Sequence, residues 1–267
     1  MSVATLVEHV ARVPGVKAVT LGGSRARGMA RPDSDWDIGL YYHGSIDTDA
    51  IRELGYPGHV AEPGDWGRIV NGGAWLQIDR ERVDLLYRDL DVVEHWIAEA
   101  DAGRFEIDRV GGHIAGLPTY VLAGELALGT VLRGSLPRPS FSPALRRAAP
   151  PRWEGDAAFS LLVAEQHGAR GDAAGCAGLL ARAVMAAAHA RLAGHGTWVL
   201  NEKGLVAQAG LDEAAEILAA VGWTPQRLQE SVAKMRHLLR LERPGDEESG
   251  SRAVEQSSSR GCETACR

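Results

Sequence analysis

Cysteine and aromatic residues are scarce: the 267 residues include three Cys, three Phe and five Tyr. Cys176, Cys262 and Cys266 form no C-x-x-C pair and no Cys/His ligand set, which excludes a zinc site of ordinary spacing and a disulfide framework. The nine His fall without an H-x-x-x-H spacing. No apolar run approaches the roughly 20 residues of a membrane span, so no membrane partner is expected. The first residues carry Glu8 and lack the basic start and long apolar stretch of a signal peptide, so the expected location is cytoplasmic. An excess of positive charge is also missing. The net charge of −6 argues against nucleic acid as a substrate and suits a cationic small molecule. Several motifs are absent too: G-x-x-x-x-G-K-[ST], G-x-G-x-x-G and G-x-S-x-G do not occur, which removes the P-loop, the dinucleotide turn and the nucleophile elbow.

What is present is concentrated in residues 16–42. Two β-rich runs, Val16–Leu21 and Trp36–Tyr42, flank a turn holding Gly22, Gly23, Ser24 and Gly28. Asp35 and Asp37 stand two apart at the start of the second run, and on a strand that spacing places both side chains on one face. Adjacent carboxylates repel and raise one another's pKa unless a cation lies between them. Hard oxygen donors of this kind suit Mg²⁺, which binds one or two carboxylates together with substrate phosphates. Gly23 and Ser24 open a short helix over 25–29, whose backbone N–H groups favour a phosphate. Asp84 lies inside the apolar run 83–87, where a charge needs a reason.

These residues resemble the polymerase-β-like nucleotidyltransferase superfamily, whose signature is G-S, a spacer, D-x-D and a third Asp on a neighbouring strand. The resemblance covers roughly residues 1–90 and implies an α/β (α+β) nucleotidyltransferase fold with a mixed sheet. It also implies transfer of a nucleoside monophosphate, AMP from ATP, to a hydroxyl group, with two Mg²⁺ ions held by Asp35, Asp37 and Asp84. Gly23 and Ser24 then hold the β and γ phosphates. Arg25 and Arg27 either steady the triphosphate or lie on an exposed helix face.

Along the chain, helical spacing marks 3–12, 49–54, 91–102 and 119–132. A hairpin is expected from 74–79 and 82–87, and 59–72 reads as a turn-rich connection. The proline-rich stretch at 136–143 places a domain boundary near 135. Beyond it, Ala-rich helices at 153–167, 175–192, 201–208, 212–221 and 225–241 predict an all-helical bundle over 136–242. The polar tail from 243 to 267 is expected to be disordered.

The helical half resembles, more faintly, the C-terminal domain of streptomycin/spectinomycin-type aminoglycoside adenylyltransferases. There an arginine and a following lysine reach the triphosphate, and Arg182 and Lys203 match in order and approximate spacing; otherwise they are solvated bundle charges. Glu125, alone in an apolar helix, is a candidate general base or a structural ion pair, with Glu165 and Asp84 as alternatives. Trp153, Trp198 and Trp223 are read as core residues or as a stacking face for a sugar. The expected acceptor is a small polyhydroxylated molecule such as an aminoglycoside-like antibiotic. The rival readings are a protein-modifying adenylyltransferase of the toxin–antitoxin type and a nucleotide sensor without turnover. The sequence leaves the oligomeric state open.

Overall fold

The computed structural model describes residues 2–241; the expected disorder of the tail lies outside them. The chain divides into two compact units. Among the described residues, the first comprises 2–152 with 189–205, and the second comprises 153–188 with 206–241. The sequence placed a boundary near 135 instead. The segment carrying Lys203 belongs to the first unit.

The first unit begins with α1 (Val3–Val10), capped by Ser2, whose side chain accepts from Thr5 N. Val3, Leu6, Val7 and Val10, at helical spacing, turn inward. There follow β1 (Val16–Leu21), the four-residue α2 (Gly23–Ala26), β2 (Trp36–Tyr42), α3 (Thr48–Glu53) and β3 (Gly58–Val60). Next come β4 (Gly73–Ile78), β5 (Glu81–Asp89), α4 (Leu90–Asp101), the short pair β6 (Ile107–Asp108) and β7 (Leu117–Pro118), α5 (Val121–Leu128) and β8 (Thr130–Arg133). Six of these strands make one sheet in the order β3-β4-β5-β2-β1-β8. It is mixed: β2 and β5 run parallel, and the other neighbours are antiparallel.

Strand alternation gives the sheet two unlike faces. On one, Ile38, Leu40, Ala74, Leu76, Val83 and Leu85 pack with α1 and Ile51 of α3 as the main core. On the other, Ala18 and Tyr41 are covered by Leu90, Val93 and Trp96 of α4 and by Val121, Leu122 and Leu126 of α5. That cover stops partway along the strands. Asp37, Asp84, Trp75 and Gln77 therefore share a face that is dry at one end and open at the other.

Several expected helices differ from the structure: those at 25–29 and 201–208 form only over Gly23–Ala26 and Leu205–Gln208, and two others differ more. The run 119–132 is helical only to Leu128; after Gly129, whose backbone is extended, β-branched Thr130 and Val131 open an edge strand against β1. The helix expected at 153 begins at Pro143 and continues to Ala169 as α6, running through Pro150 and Pro151. Ser142 Oγ accepts from Leu145 N, and proline at the first helical position needs no donor of its own.

The described part of the second unit is helical. It holds the rest of α6, most of α7 (Ala173–Gly194), α8 (Leu205–Gln208) in large part, α9 (Glu213–Ala219) and α10 (Pro225–Leu239). Among the described residues α7 is long and apolar enough to cross a membrane by length and composition alone, yet its Leu180, Ala183, Val184 and Ala186 are buried inside the protein. Trp153 is fully buried, as a core residue should be, whereas Trp223 is 82% exposed in the turn before α10. Gly222 with a left-handed φ of 79° marks that turn, so the chain reverses there before the ring can be covered.

Leu85 is wholly buried at the centre of the sheet, between β2 and β4. Leu85→Ala is expected to cost about 2–5 kcal/mol of unfolding free energy in urea titration, from lost transfer energy and an unfilled cavity.

Candidate active site

The open end of the sheet forms the floor of a cavity of about 690 Å³. Gly23, Ser24, Arg27, Asp35, Asp37, Asp84, Glu125 and Lys203 all line it, so eight sequence-predicted positions converge there. All belong to the first unit.

Backbone register creates the convergence. In the parallel pair, Asp37 stands directly beside Asp84, and laterally paired residues share a face. The turn before β2 closes over them: Gly22 N donates to Asp37 O at 2.7 Å. Gly23 has φ +60°, and a Cβ there would lie 1.7 Å from Asp37 Oδ2, so only glycine allows this approach. Two residues on, Gly39 leaves room for Thr20 Oγ1 and the Tyr41 ring, 2.5 and 2.9 Å from where its Cβ would be.

The electrostatics follow from crowding. Burial raises the Asp37 carboxyl above its ordinary value, Asp35 and Glu125 add to the rise, and Lys203 and Arg27 oppose it. Burial, then Asp37 and Asp35, push Asp84 up to about 6. Asp35 is held by Arg82, whose Nε lies 2.5 Å from Asp35 Oδ1, although that buried oxygen has no hydrogen bond of good geometry. Sequence reasoning missed Arg82. It stands two residues before Asp84 on the same strand, and the two-residue period could have placed it on the same face.

Three hard carboxylates side by side, with Asp37 and Asp84 raised above their ordinary values and a buried Asp35 Oδ1 without a hydrogen bond of good geometry, fit a divalent cation chemically. Among the described residues, no group of three or more His, Cys, Asp or Glu side chains is arranged to hold a metal ion. Binding would therefore require the carboxylates to close in and Asp35 to exchange Arg82 for the ion.

Other expected residues are placed differently. Arg25 is absent from the cavity lining. It donates to Ser34 O at 2.6 Å and Asp35 O at 3.2 Å, pairs with Glu81, and lies 4.2 Å from the Trp36 ring centre, so it pins the loop before β2. Glu125 is clamped by buried Arg88, Nε to Oε2 at 2.6 Å and Nη2 to Oε1 at 2.8 Å, while Arg88 Nη1 donates to Val70 O and Tyr87 O. Arg182 lies in the second unit, its Nη2 3.9 Å from Asp156 Oδ2, and Glu165 of that unit pairs with Arg236.

Lys203 is positioned by its neighbour. Glu202 is buried and accepts from Ile114 N at 2.5 Å and Ala115 N at 2.8 Å, with His189 Nε2 3.9 Å away. Burial pushes the Glu202 carboxyl up, but His189 and the two amides outweigh it and hold it below its ordinary value. A glutamate beside a candidate lysine gave no periodic signal in the sequence.

Residues 3–93 match the family model described as the nucleotidyltransferase domain. Among solved structures, the chain is similar to a nucleotidyltransferase-like protein from Exiguobacterium sibiricum, with 15% identity over 89% of this chain and 72% of that one and a TM-score of 0.38. It is also similar to an aminoglycoside 6-adenyltransferase from Bacillus subtilis, with 12% identity over 94% and 95% of the two chains and a TM-score of 0.24. No curated protein matches.

The raised Asp84 pKa makes a stability statement about the metal-free protein. A folded state that binds a proton more tightly than the unfolded chain is favoured by acid. This contribution is fully present below the ordinary value of 3.8 and is lost as the pH rises through about 6. In EDTA, Asp84→Asn is expected to be more stable than wild type at pH 7 by about 1 kcal/mol, with the advantage narrowing toward pH 5. Thermal melts across that range check it; an Asn variant that melts lower at pH 7 would show the carboxylate to be stabilising.

Proposed function

We propose that the protein transfers a nucleoside monophosphate, AMP from ATP, to a hydroxyl group of a small molecule and releases pyrophosphate. The observation that carries this reading is the lining of a single cavity by Asp35, Asp37 and Asp84 together with Gly23, Ser24, Arg27 and Lys203. Carboxylates gathered beside cations and a glycine turn suit a nucleotide bound as its metal complex. Asp35, Asp37 and Asp84 would hold the Mg²⁺ ions, which would supply charge neutralisation at the triphosphate and make the acceptor hydroxyl more acidic.

The chain's own residues then do the following work. Gly23 and Ser24 donate to the β and γ phosphates, and Arg27 and Lys203 balance their charge. The acceptor oxygen forms a bond to the α phosphorus as the bond from that phosphorus to the bridging oxygen breaks. The electron pair leaves with pyrophosphate. The acceptor's proton passes to a carboxylate, and Asp84 is the better base on geometry because both oxygens of Glu125 are engaged by Arg88. Holding the reactants in line accounts for most of the acceleration. The acceptor class is taken to be polyhydroxylated, as in aminoglycoside-like antibiotics; modification of a protein hydroxyl is the second outcome that an acceptor screen can give.

Pyrophosphate release is expected from one of the four NTPs with a small hydroxylated acceptor. Asp37→Asn should keep its circular dichroism spectrum and lose turnover; a folded variant with near wild-type activity would overturn the mechanism. Lys203→Ala should weaken binding of a non-hydrolysable ATP analogue with Mg²⁺ by about 1.5–3 kcal/mol, the range for a hydrogen bond to a charged group. Calorimetric titration reads this, and equal affinities would remove Lys203 from the nucleotide site.

A further inference from the structure

A second recess adjoins the first. It measures about 460 Å³ and shares Asp35, Arg82 and Asp84 with the main cavity, while Pro57, Trp75 and Gln77 complete its wall. The register explains the junction. Asp84 of β5 stands opposite Asp37 of β2 on one side and opposite Trp75 of β4 on the other, and Trp75 in turn faces His59 of β3. Laterally paired residues project from the same face, so one row of side chains crosses the sheet from carboxylates to an indole.

That indole is unusual for its place. Along β4 the inward positions Ala74, Leu76 and Ile78 are buried, while Trp75 is 54% exposed. It is nonetheless fixed. Trp66 stacks on it with ring centres 4.8 Å apart and planes 20° apart. Gly73 makes the stack possible, since a Cβ there would come within 2.7 Å of the Trp66 ring. A rigid, half-exposed aromatic surface held beside a candidate catalytic carboxylate is a place for a ligand ring, with little ordering left to do on binding.

From this arrangement we infer that the recess is the acceptor subsite, and that it takes a hydroxylated six-membered ring, a pyranose or cyclitol, laid against Trp75. The C–H face of such a ring meets the indole, while the Gln77 amide, Arg82 and the carboxylates at the rim meet its hydroxyl and amino substituents. The ring's outward hydroxyl then lies toward Asp84, one of the three residues common to both recesses. The volume falls within the usual range for small-molecule sites. This inference rests on the nucleotidyl-transfer reading and specifies its acceptor.

The test keeps the two apart. Wild type, Trp75→Ala and Trp75→Phe are titrated by calorimetry first with Mg²⁺ and α,β-methylene-ATP, then, at saturating nucleotide, with kanamycin, maltose and myo-inositol. All three proteins are expected to bind nucleotide within about twofold of one another. At least one ring probe should bind wild type saturably, lose about tenfold or more in Trp75→Ala, and recover in part in Trp75→Phe; each tenfold corresponds to about 1.4 kcal/mol. Saturation-transfer NMR on wild type should show the probe's ring C–H protons receiving magnetisation from aromatic protons, a readout independent of whether the alanine variant folds. A ring probe that binds Trp75→Ala as tightly as wild type overturns the subsite. So does a wild type that binds nucleotide and none of the three probes. A wild type that binds no nucleotide overturns the nucleotidyl-transfer reading instead.

Discussion

Like charge crowded onto one face of a sheet is the constraint on which the rest of this first unit depends. Parallel pairing of β2 with β5 puts Asp37 beside Asp84, and the two-residue strand period brings Asp35 and Arg82 close by. Burial and mutual repulsion raise both Asp37 and Asp84, so the metal-free fold carries a cost at neutral pH. The opposite face repays that cost with a dry core of Ile38, Leu40, Val83 and Leu85 under the same strands. A site of this kind is tolerable because it is built on strands whose other face is packed in the core.

The charges around the carboxylates are arranged at several depths. Deepest is the pair of Arg88 and Glu125, where a buried guanidinium donates to a carboxylate and two backbone carbonyls. Burial alone would depress the Arg88 pKa, yet Glu125 more than offsets it and the guanidinium is held above its ordinary value. A buried pair held by four hydrogen bonds from one guanidinium fixes geometry more than it adds stability. Nearer the opening, Arg27 and Lys203 lower the Asp37 pKa that its neighbours raise. Arg25, by contrast, serves the loop: its contacts to Ser34, Asp35, Glu81 and Trp36 hold the approach to β2 in place.

The parts of this site that were legible in the sequence are those whose geometry is local. Asp35 immediately precedes the strand that carries Asp37, Gly23 and Ser24 stand in the turn before it, and period and composition suffice to read both. Asp84 was legible because a charge in an apolar run is conspicuous. Trp75 was not, since an aromatic residue in an alternating strand looks like core until the register shows which face it occupies. The run 119–132 is apolar nearly throughout, and such a run carries no period to separate a helix from a strand; Gly129 decided it. Pro150 and Pro151 concealed the first turns of α6 because prolines inside a helix ordinarily argue against one.

Lys203 presents a different problem, because a cation far along the chain must be delivered to a cavity whose lining comes mostly from residues 20–129. A lysine on a flexible connection would lose much of its attraction to a triphosphate in ordering entropy. The structure fixes the segment one residue earlier. Glu202 accepts from the amides of Ile114 and Ala115, and Asn201 Oδ1 accepts from Lys203 N at 3.0 Å. Nearby, Trp198 packs against Phe141 and Tyr120, with ring centres 4.6 and 6.3 Å away. An aromatic contact and a buried carboxylate thus hold the backbone at both ends of a short stretch, leaving only the lysine side chain to be ordered. The burial of Glu202 is costly by itself, and two amides with His189 close by compensate for it. The charge that reaches the cavity depends on a charge that never does.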